Sequence, residues 1–130
     1  MPRYDIRELA AIFTGGAVGA LGRAALVEWL PPHAGRWPWA TFAVNVAGAF
    51  LLGYFATRLQ ERLPLSAYRR PLLGTGLCGA LTTYSTFGYE TVRLLADRAR
   101  SYAVLNAAAS VVAGLGAAFC GIALAEAIWP

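Results

Sequence analysis

The sequence predicts an all-α membrane protein in which residues 1–130 form one domain of four transmembrane helices. Composition predicts the membrane: 58% of the residues are hydrophobic and 14% are charged, whereas charged residues make up about 25% of a typical soluble domain. The helices are predicted by four successive apolar stretches, each about as long as the ~20 residues that cross a hydrocarbon core. Because these stretches use nearly the whole chain, no room is expected for a soluble catalytic domain.

The four predicted helices are separated by short segments with turn and charge signals. The first helix covers about residues 9–30 and contains Arg23. It lacks the cleavage pattern of a signal peptide, so we expect it to be retained. The others cover about residues 39–59, 71–95 and 102–128. The segments between them, PPHAGRWP, RLQERLPLSAYRRP and RLLADRARS, are rich in proline or arginine, as expected of loops at membrane surfaces.

The third predicted helix contains a polar segment, GALTTYSTFGYE, at residues 79–90. Ser and Thr compete with the helix for backbone hydrogen bonds and glycines flank them, so a break is predicted within residues 79–83. Irregular backbone at membrane depth occurs only where it is buried in protein or lines a watery cavity. A break would free carbonyls for a hard cation and amides for an anion. The alternative is a glycine kink satisfied by local hydroxyl groups.

Few other polar side chains lie inside the predicted helices, where each costs free energy unless it faces protein or water. Asn45 lies one turn after Thr41 in the second helix. Its amide would either join two helices or bind an anion. In the fourth helix, Asn106 and Ser110 are four residues apart and therefore share a face. They are predicted to form a strip of hydrogen-bond donors.

The charged residues indicate a membrane surface and not nucleic acid as their environment. The net charge is +4, and it comes from loop arginines with no basic stripe that alternates with aromatic residues. These arginines divide almost evenly between the two sides of the predicted bundle, which would allow insertion in both orientations and antiparallel pairing of two copies. Short termini that blur the count are the alternative. Arg23 would reach the membrane surface, pair with Glu28 or contact an anion.

The small residues, the cysteines and the single histidine allow further predictions about packing, disulfides and metal binding. Gly15 and Gly19 have the spacing that favours close helix packing, here in an oligomer. Cys78 and Cys120 both lie inside predicted helices, so we expect buried thiols and no disulfide. His33 has no second ligand at metal-site spacing. Catalytic signatures such as HExxH are absent from the sequence, so the protein is not expected to be an enzyme.

Four motifs are distributed over almost the whole chain: GGAVGALGR (15–23), WATFAVNVAGAFLLGY (39–54), GLCGALTTYSTFGYE (76–90) and NAAASVVAGL (106–115). In this order and spacing they resemble the small dual-topology fluoride channels, the Fluc or CrcB family. The resemblance implies an antiparallel homodimer of four-helix subunits with two narrow fluoride pores. It also implies a multi-pass protein in the plasma membrane of a prokaryote that exports cytoplasmic fluoride passively.

The resemblance further implies which residues form the sites. A structural sodium ion (Na+) at the dimer centre would be held by the backbone carbonyls of Gly79 and Thr82. Fluoride is strongly hydrated, so a pore must replace water with amide and hydroxyl donors and with the positive edges of aromatic rings. The implied pore residues are Asn45, Tyr84, Phe87, Asn106 and Ser110, and the supporting residues are Arg23, Thr41, Thr83, Ser85 and Glu90.

The chain departs from the family pattern at two positions. Tyr84 stands where the first aromatic is usually Phe, and its hydroxyl would donate to fluoride, narrow the pore or bond elsewhere. Asn106 stands where many members have Tyr. Because some members are heterodimers, the chain is alternatively a half-functional or non-conducting subunit that pairs with a paralogous chain.

Glu90 is either a vestibule carboxylate or a helix-end acid paired with Arg93 or Arg70.

A small proton-coupled multidrug exporter has a similar length and helix number. That mechanism needs a membrane-embedded carboxylate early in the first helix, and the predicted helix has only Glu28 at its far end. The exporter is therefore the less favoured alternative.

Overall fold

The computed structural model describes residues 5–31, 33, 35–58, 69 and 71–128, and these residues form helices and connecting turns with no β-strand. Helix α1 spans Ile6–Trp29 and α2 spans Trp39–Thr57. A π-helix, Pro71–Cys78, leads into the short helix α3, Gly79–Leu81. After two extended residues come α4, Tyr84–Ala96, and α5, Arg100–Ile128. The predicted end of the second helix at residue 59 and the side chain of Arg70 lie outside the described residues.

The ends of α1 and α2 follow local sequence signals. Asp5 caps α1, since its carboxylate accepts a hydrogen bond from the Arg7 amide at 3.3 Å, and the helix therefore begins three residues before the predicted residue 9. α1 ends at Trp29, shortly before Pro31, and α2 begins directly after Pro38. Proline cannot donate to a helix, so it is tolerated at these boundaries.

Three of the described helices, α1, α2 and α5, are long and apolar enough to cross a membrane. Only 11%, 33% and 6% of their apolar windows is buried inside the chain. Large apolar side chains on these helices are exposed in the single chain: Phe13 is 79% exposed, Val112 70% and Phe119 73%. The third predicted span is not among the three helices, because it is divided into pieces of which the longest, α4, has 13 residues.

The helices pack in two groups, and within each group a glycine lets the backbones approach closely. α2 packs along α5, where Gly121 lies against the carbonyl oxygen of Phe50. α1 packs against the π-helix and α3, where Gly15 lies against the carbonyl oxygen of Leu72. The Gly15 and Gly19 spacing, predicted to favour an oligomer, is used inside the single chain, because both glycines are buried in this contact.

The two cysteines differ in environment, although both are free thiols. Cys78 is 2% exposed, as predicted. The expectation of burial is wrong for Cys120, which is exposed within the single chain. The neighbouring Gly121 occupies the contact with α2 instead.

Candidate functional site

The site is organised around a break in the third predicted helix. Thr82 and Thr83 are extended, with φ/ψ of −80/154° and −150/117°, and they lie within the predicted interval 79–83. Helix α4 starts again at Tyr84 because the Thr83 hydroxyl accepts the Thr86 amide at 3.2 Å. The hydroxyls of Thr83 and Ser85 are 3.3 Å apart, so both predicted supporting residues lie at the start of α4.

Asn45 of α2 hydrogen-bonds to both backbone groups of Thr83. Its Oδ1 accepts from the Thr83 N–H at 2.8 Å, and its Nδ2 donates to the Thr83 carbonyl at 3.2 Å. One side chain thus replaces the helical partners that an extended residue loses, which makes the break tolerable in a low-dielectric interior. Joining two helices is therefore a role that Asn45 has in the structure. An amide nitrogen carries two hydrogens, so the second N–H remains for another acceptor.

The same hydrogen bonds release two carbonyl oxygens of the third predicted helix. In a continuous helix the Thr83 N–H would donate to the Gly79 carbonyl, and the Thr86 N–H to the Thr82 carbonyl. Here the first donates to Asn45 and the second to the Thr83 hydroxyl. Gly79 and Thr82, the two residues whose carbonyls the resemblance assigns to sodium, are therefore among the residues whose carbonyls lose their helical donors at the break.

A cavity of about 380 Å³ lies beside the break and is lined by four of the five predicted pore residues, Asn45, Tyr84, Phe87 and Ser110. The rings of Tyr84 and Phe87 are tilted by 45°, with centroids 6.2 Å apart. Tyr84 is 86% exposed, so one side of the cavity is open in the single chain. The remaining lining residues are Gly48, Ala49, Leu52, Cys78, Thr82, Thr83 and Val111. The cavity is therefore mostly apolar, with a few polar groups that could orient an ion.

The fifth predicted pore residue, Asn106, is 1% exposed and lies behind the cavity wall. Its Nδ2 donates to Thr91 Oγ1 at 3.0 Å, and its Oδ1 accepts from Ser110 Oγ at 3.3 Å. The predicted strip on α5 is therefore hydrogen-bonded within itself. Thr91 was not identified from the sequence. Its position four residues after Phe87, whose carbonyl it contacts at 2.8 Å, is the signal that could have found it.

A second cavity, of about 270 Å³, lies at the other side of α4 and is lined by Glu90. The Thr41 hydroxyl donates to Glu90 Oε1 at 2.9 Å and thereby joins α2 to α4. Arg93, which the sequence offers as an ion-pair partner for Glu90, lies instead over the ring of Tyr89, 6.0 Å from its centroid. Thr41 and Glu90 thus act together, away from the residues of the first cavity. Further lining residues include His33, Arg36, Arg93 and Asp97.

Arg23, the remaining predicted supporting residue, is partly buried on α1 and lines neither cavity. In the described parts of α1 no ion pair joins it to Glu28, which is exposed. Among the residues that the structure describes, no group of three or more His, Cys, Asp or Glu side chains could hold a metal ion. Near the break, backbone carbonyl oxygens are of the type that suits a hard cation.

Comparisons with known proteins identify the relatives of this chain. Residues 10–122 match the model of the family described as CrcB-like protein, Camphor Resistance (CrcB). A Mycobacterium bovis protein named fluoride-specific ion channel FluC 1 is 59% identical over 115 residues, which cover 88% of this chain and 87% of that protein. A Methanopyrus kandleri protein named fluoride-specific ion channel FluC is 41% identical over 129 residues, covering 99% and 97%.

These matches cover most of the chain and of its relatives, and the matched segment contains the break and all residues of the first cavity. With three apolar helices long enough to cross a membrane, the chain is a multi-pass membrane protein of prokaryotic type. The chain belongs to the CrcB family.

Proposed function

We propose that the protein is a fluoride-selective channel that lets cytoplasmic fluoride leave the cell passively. The relatives named fluoride-specific ion channels support this function. The observation that carries it is the cavity beside the helix break, where Asn45, Tyr84 and Phe87 surround one space. The groups that these residues offer to an ion are hydrogen-bond donors and ring edges.

The cavity offers a small anion what it needs when it loses water. The second N–H of Asn45 is a fixed donor, because Thr83 holds the rest of the amide. The aromatic rings of Tyr84 and Phe87 present positive edges. A partner subunit that closed the open side would exclude water and so strengthen each of these interactions. A narrow path with such ligands would penalise the larger chloride ion through its size.

We also propose four membrane spans in each subunit and an antiparallel dimer with two pores. The third span would consist of the π-helix, α3, the break and α4. Tyr84 is 86% exposed beside the cavity, and a partner subunit would cover it and close the open side. The near-even distribution of loop arginines supports insertion in both orientations.

We further propose that a structural sodium ion is held at the dimer centre by the carbonyls of Gly79 and Thr82. The diversion of their helical donors to Asn45 and to the Thr83 hydroxyl supports this assignment. When bound, the ion would supply a fixed positive charge that offsets the cost of bringing anions into a low-dielectric interior.

Removing sodium is expected to weaken the folded dimer. The ion would bind the folded state and not the unfolded one, so the thermal midpoint should fall when sodium is replaced by the large cation N-methyl-D-glucamine. The measurement is thermal unfolding in detergent, combined with elemental analysis for retained sodium. If the protein retains no sodium and its midpoint is the same in both buffers, the sodium proposal is wrong.

Liposomes that contain only this purified chain are expected to release fluoride rapidly and to retain chloride. Efflux is measured with ion-selective electrodes, and empty liposomes are the control. The molecular mass of the detergent-solubilised protein is determined in parallel and should correspond to a dimer. A folded dimer without fluoride efflux would contradict the homodimeric channel and favour a subunit that needs a paralogous partner.

A further inference from the structure

A chain of three hydrogen bonds connects two cavity residues through the protein behind the wall. Ser110 Oγ is 3.3 Å from Asn106 Oδ1, Asn106 Nδ2 is 3.0 Å from Thr91 Oγ1, and Thr91 Oγ1 is 2.8 Å from the Phe87 carbonyl. Phe87 and Ser110 line the cavity. Asn106 is 1% exposed, so water does not compete for its bonds.

The Phe87 carbonyl, at the end of this series of hydrogen bonds, determines the direction of each bond in the series. The Phe87 carbonyl can only accept, so Thr91 donates its single hydroxyl proton there. The Thr91 oxygen must then accept, which turns Nδ2 of Asn106 toward it. Oδ1 of Asn106 therefore faces Ser110, whose proton it takes. In the absence of an ion, the Ser110 hydroxyl presents lone pairs and not its proton to the cavity.

We propose that Thr91 and Asn106 are positioning residues that make fluoride compete with the Asn106 amide oxygen for the Ser110 proton. This inference rests on the proposed function and adds a determinant of its selectivity. An anion in the cavity gains Ser110 as a donor only when the hydroxyl turns away from Asn106. The turn leaves the buried Oδ1 without a donor, which costs free energy.

That cost falls differently on different anions. Fluoride is small, and its concentrated charge makes it a strong hydrogen-bond acceptor that offsets the lost Ser110 bond. Chloride is larger and accepts more weakly, so it offsets less of the same cost. Specificity is a difference between two binding free energies. Both anions must break the bond between Ser110 and Asn106, but only the stronger acceptor, fluoride, recovers that free energy, so chloride is excluded.

Replacing Thr91 by valine is expected to lower the selectivity between the two anions. In Thr91→Val, either orientation of the Asn106 amide leaves one of its groups without a partner, so the orientation that captures the Ser110 proton is no longer favoured. The ratio of fluoride to chloride efflux from liposomes should fall by roughly tenfold, the scale of one net hydrogen bond. Thr91→Ser retains the hydroxyl and should restore the ratio of the unmodified protein.

A purely structural role of Thr91 would slow both ions equally, so an unchanged ratio in Thr91→Val would overturn the inference while the proposed function stands. No fluoride efflux from the unmodified chain would overturn the proposed function and the inference with it. If Thr91→Val does not fold, the double variant Thr91→Val with Asn106→Leu removes both buried polar partners and still frees the Ser110 proton. It is expected to show the same fall in ratio, and a ratio equal to that of the unmodified protein would again contradict the inference.

Discussion

Replacing Asn45 by leucine is expected to abolish fluoride efflux and to reduce the amount of folded protein. The substitution leaves the N–H and the carbonyl of Thr83 without the partners that Asn45 now supplies at 2.8 and 3.2 Å. Each buried polar group left unsatisfied costs about 1–3 kcal/mol, and membrane surroundings offer no water to replace the lost bonds. Folded protein is measured by size-exclusion chromatography in detergent, and efflux by a fluoride electrode outside liposomes.

The variant Asn45→Asp separates the two halves of this interaction. A carboxylate still accepts from the Thr83 N–H, but it cannot donate to the Thr83 carbonyl or to an anion. We expect it to fail in efflux as well. Thr14→Val is the matched control, because Thr14 is exposed and its hydroxyl bonds only to the Ala10 carbonyl of its own helix. Normal folding of Asn45→Leu without efflux would contradict the structural role and leave Asn45 as an anion ligand alone.

The helices were predictable because their signals are local. Apolar length predicted α1, α2 and α5 to within a few residues, and the misplaced start of α1 is explained by the Asp5 cap. Glycines and β-branched threonines indicated the break at Thr82 and Thr83 because those residues act on their own backbone. The π-helical form of Pro71–Cys78 was not predicted, since it has no periodicity that distinguishes it from an α-helix in so short a segment.

The partners of the polar side chains were less predictable than the side chains themselves. Asn45 was singled out from its position, but its partner Thr83 is 38 residues away, and Glu90 is 49 residues from Thr41. Such pairs depend on how helices pack and leave no periodic signal in one sequence. The resemblance assigned Asn106 to the pore. In the single chain its side chain is 1% exposed and donates to Thr91 of α4, a partner that the sequence did not indicate.

Replacing glycine by alanine is expected to have opposite effects on stability at two positions of α5. A Cβ at Gly121 would meet the Phe50 carbonyl oxygen and would lie 2.9 Å from the Tyr54 amide nitrogen. Both obstacles are backbone atoms of α2, so the two helices must move apart. We expect Gly121→Ala to lower stability by about 3 kcal/mol, the upper end for overpacked cores, and to lower the thermal midpoint in detergent.

The matched control is Gly116→Ala on the same helix, where a Cβ would meet nothing within 4 Å in the chain. Alanine is the better helix former by about 1 kcal/mol, so this variant should be neutral or more stable. The contrast tests the α2 and α5 contact directly, because helix propensity changes equally in both variants and only the distance to α2 differs. Equal thermal midpoints for the two variants would contradict the close approach of α2 and α5 at Gly121, and with it the helix pair that carries Asn45 and Ser110 on the cavity wall.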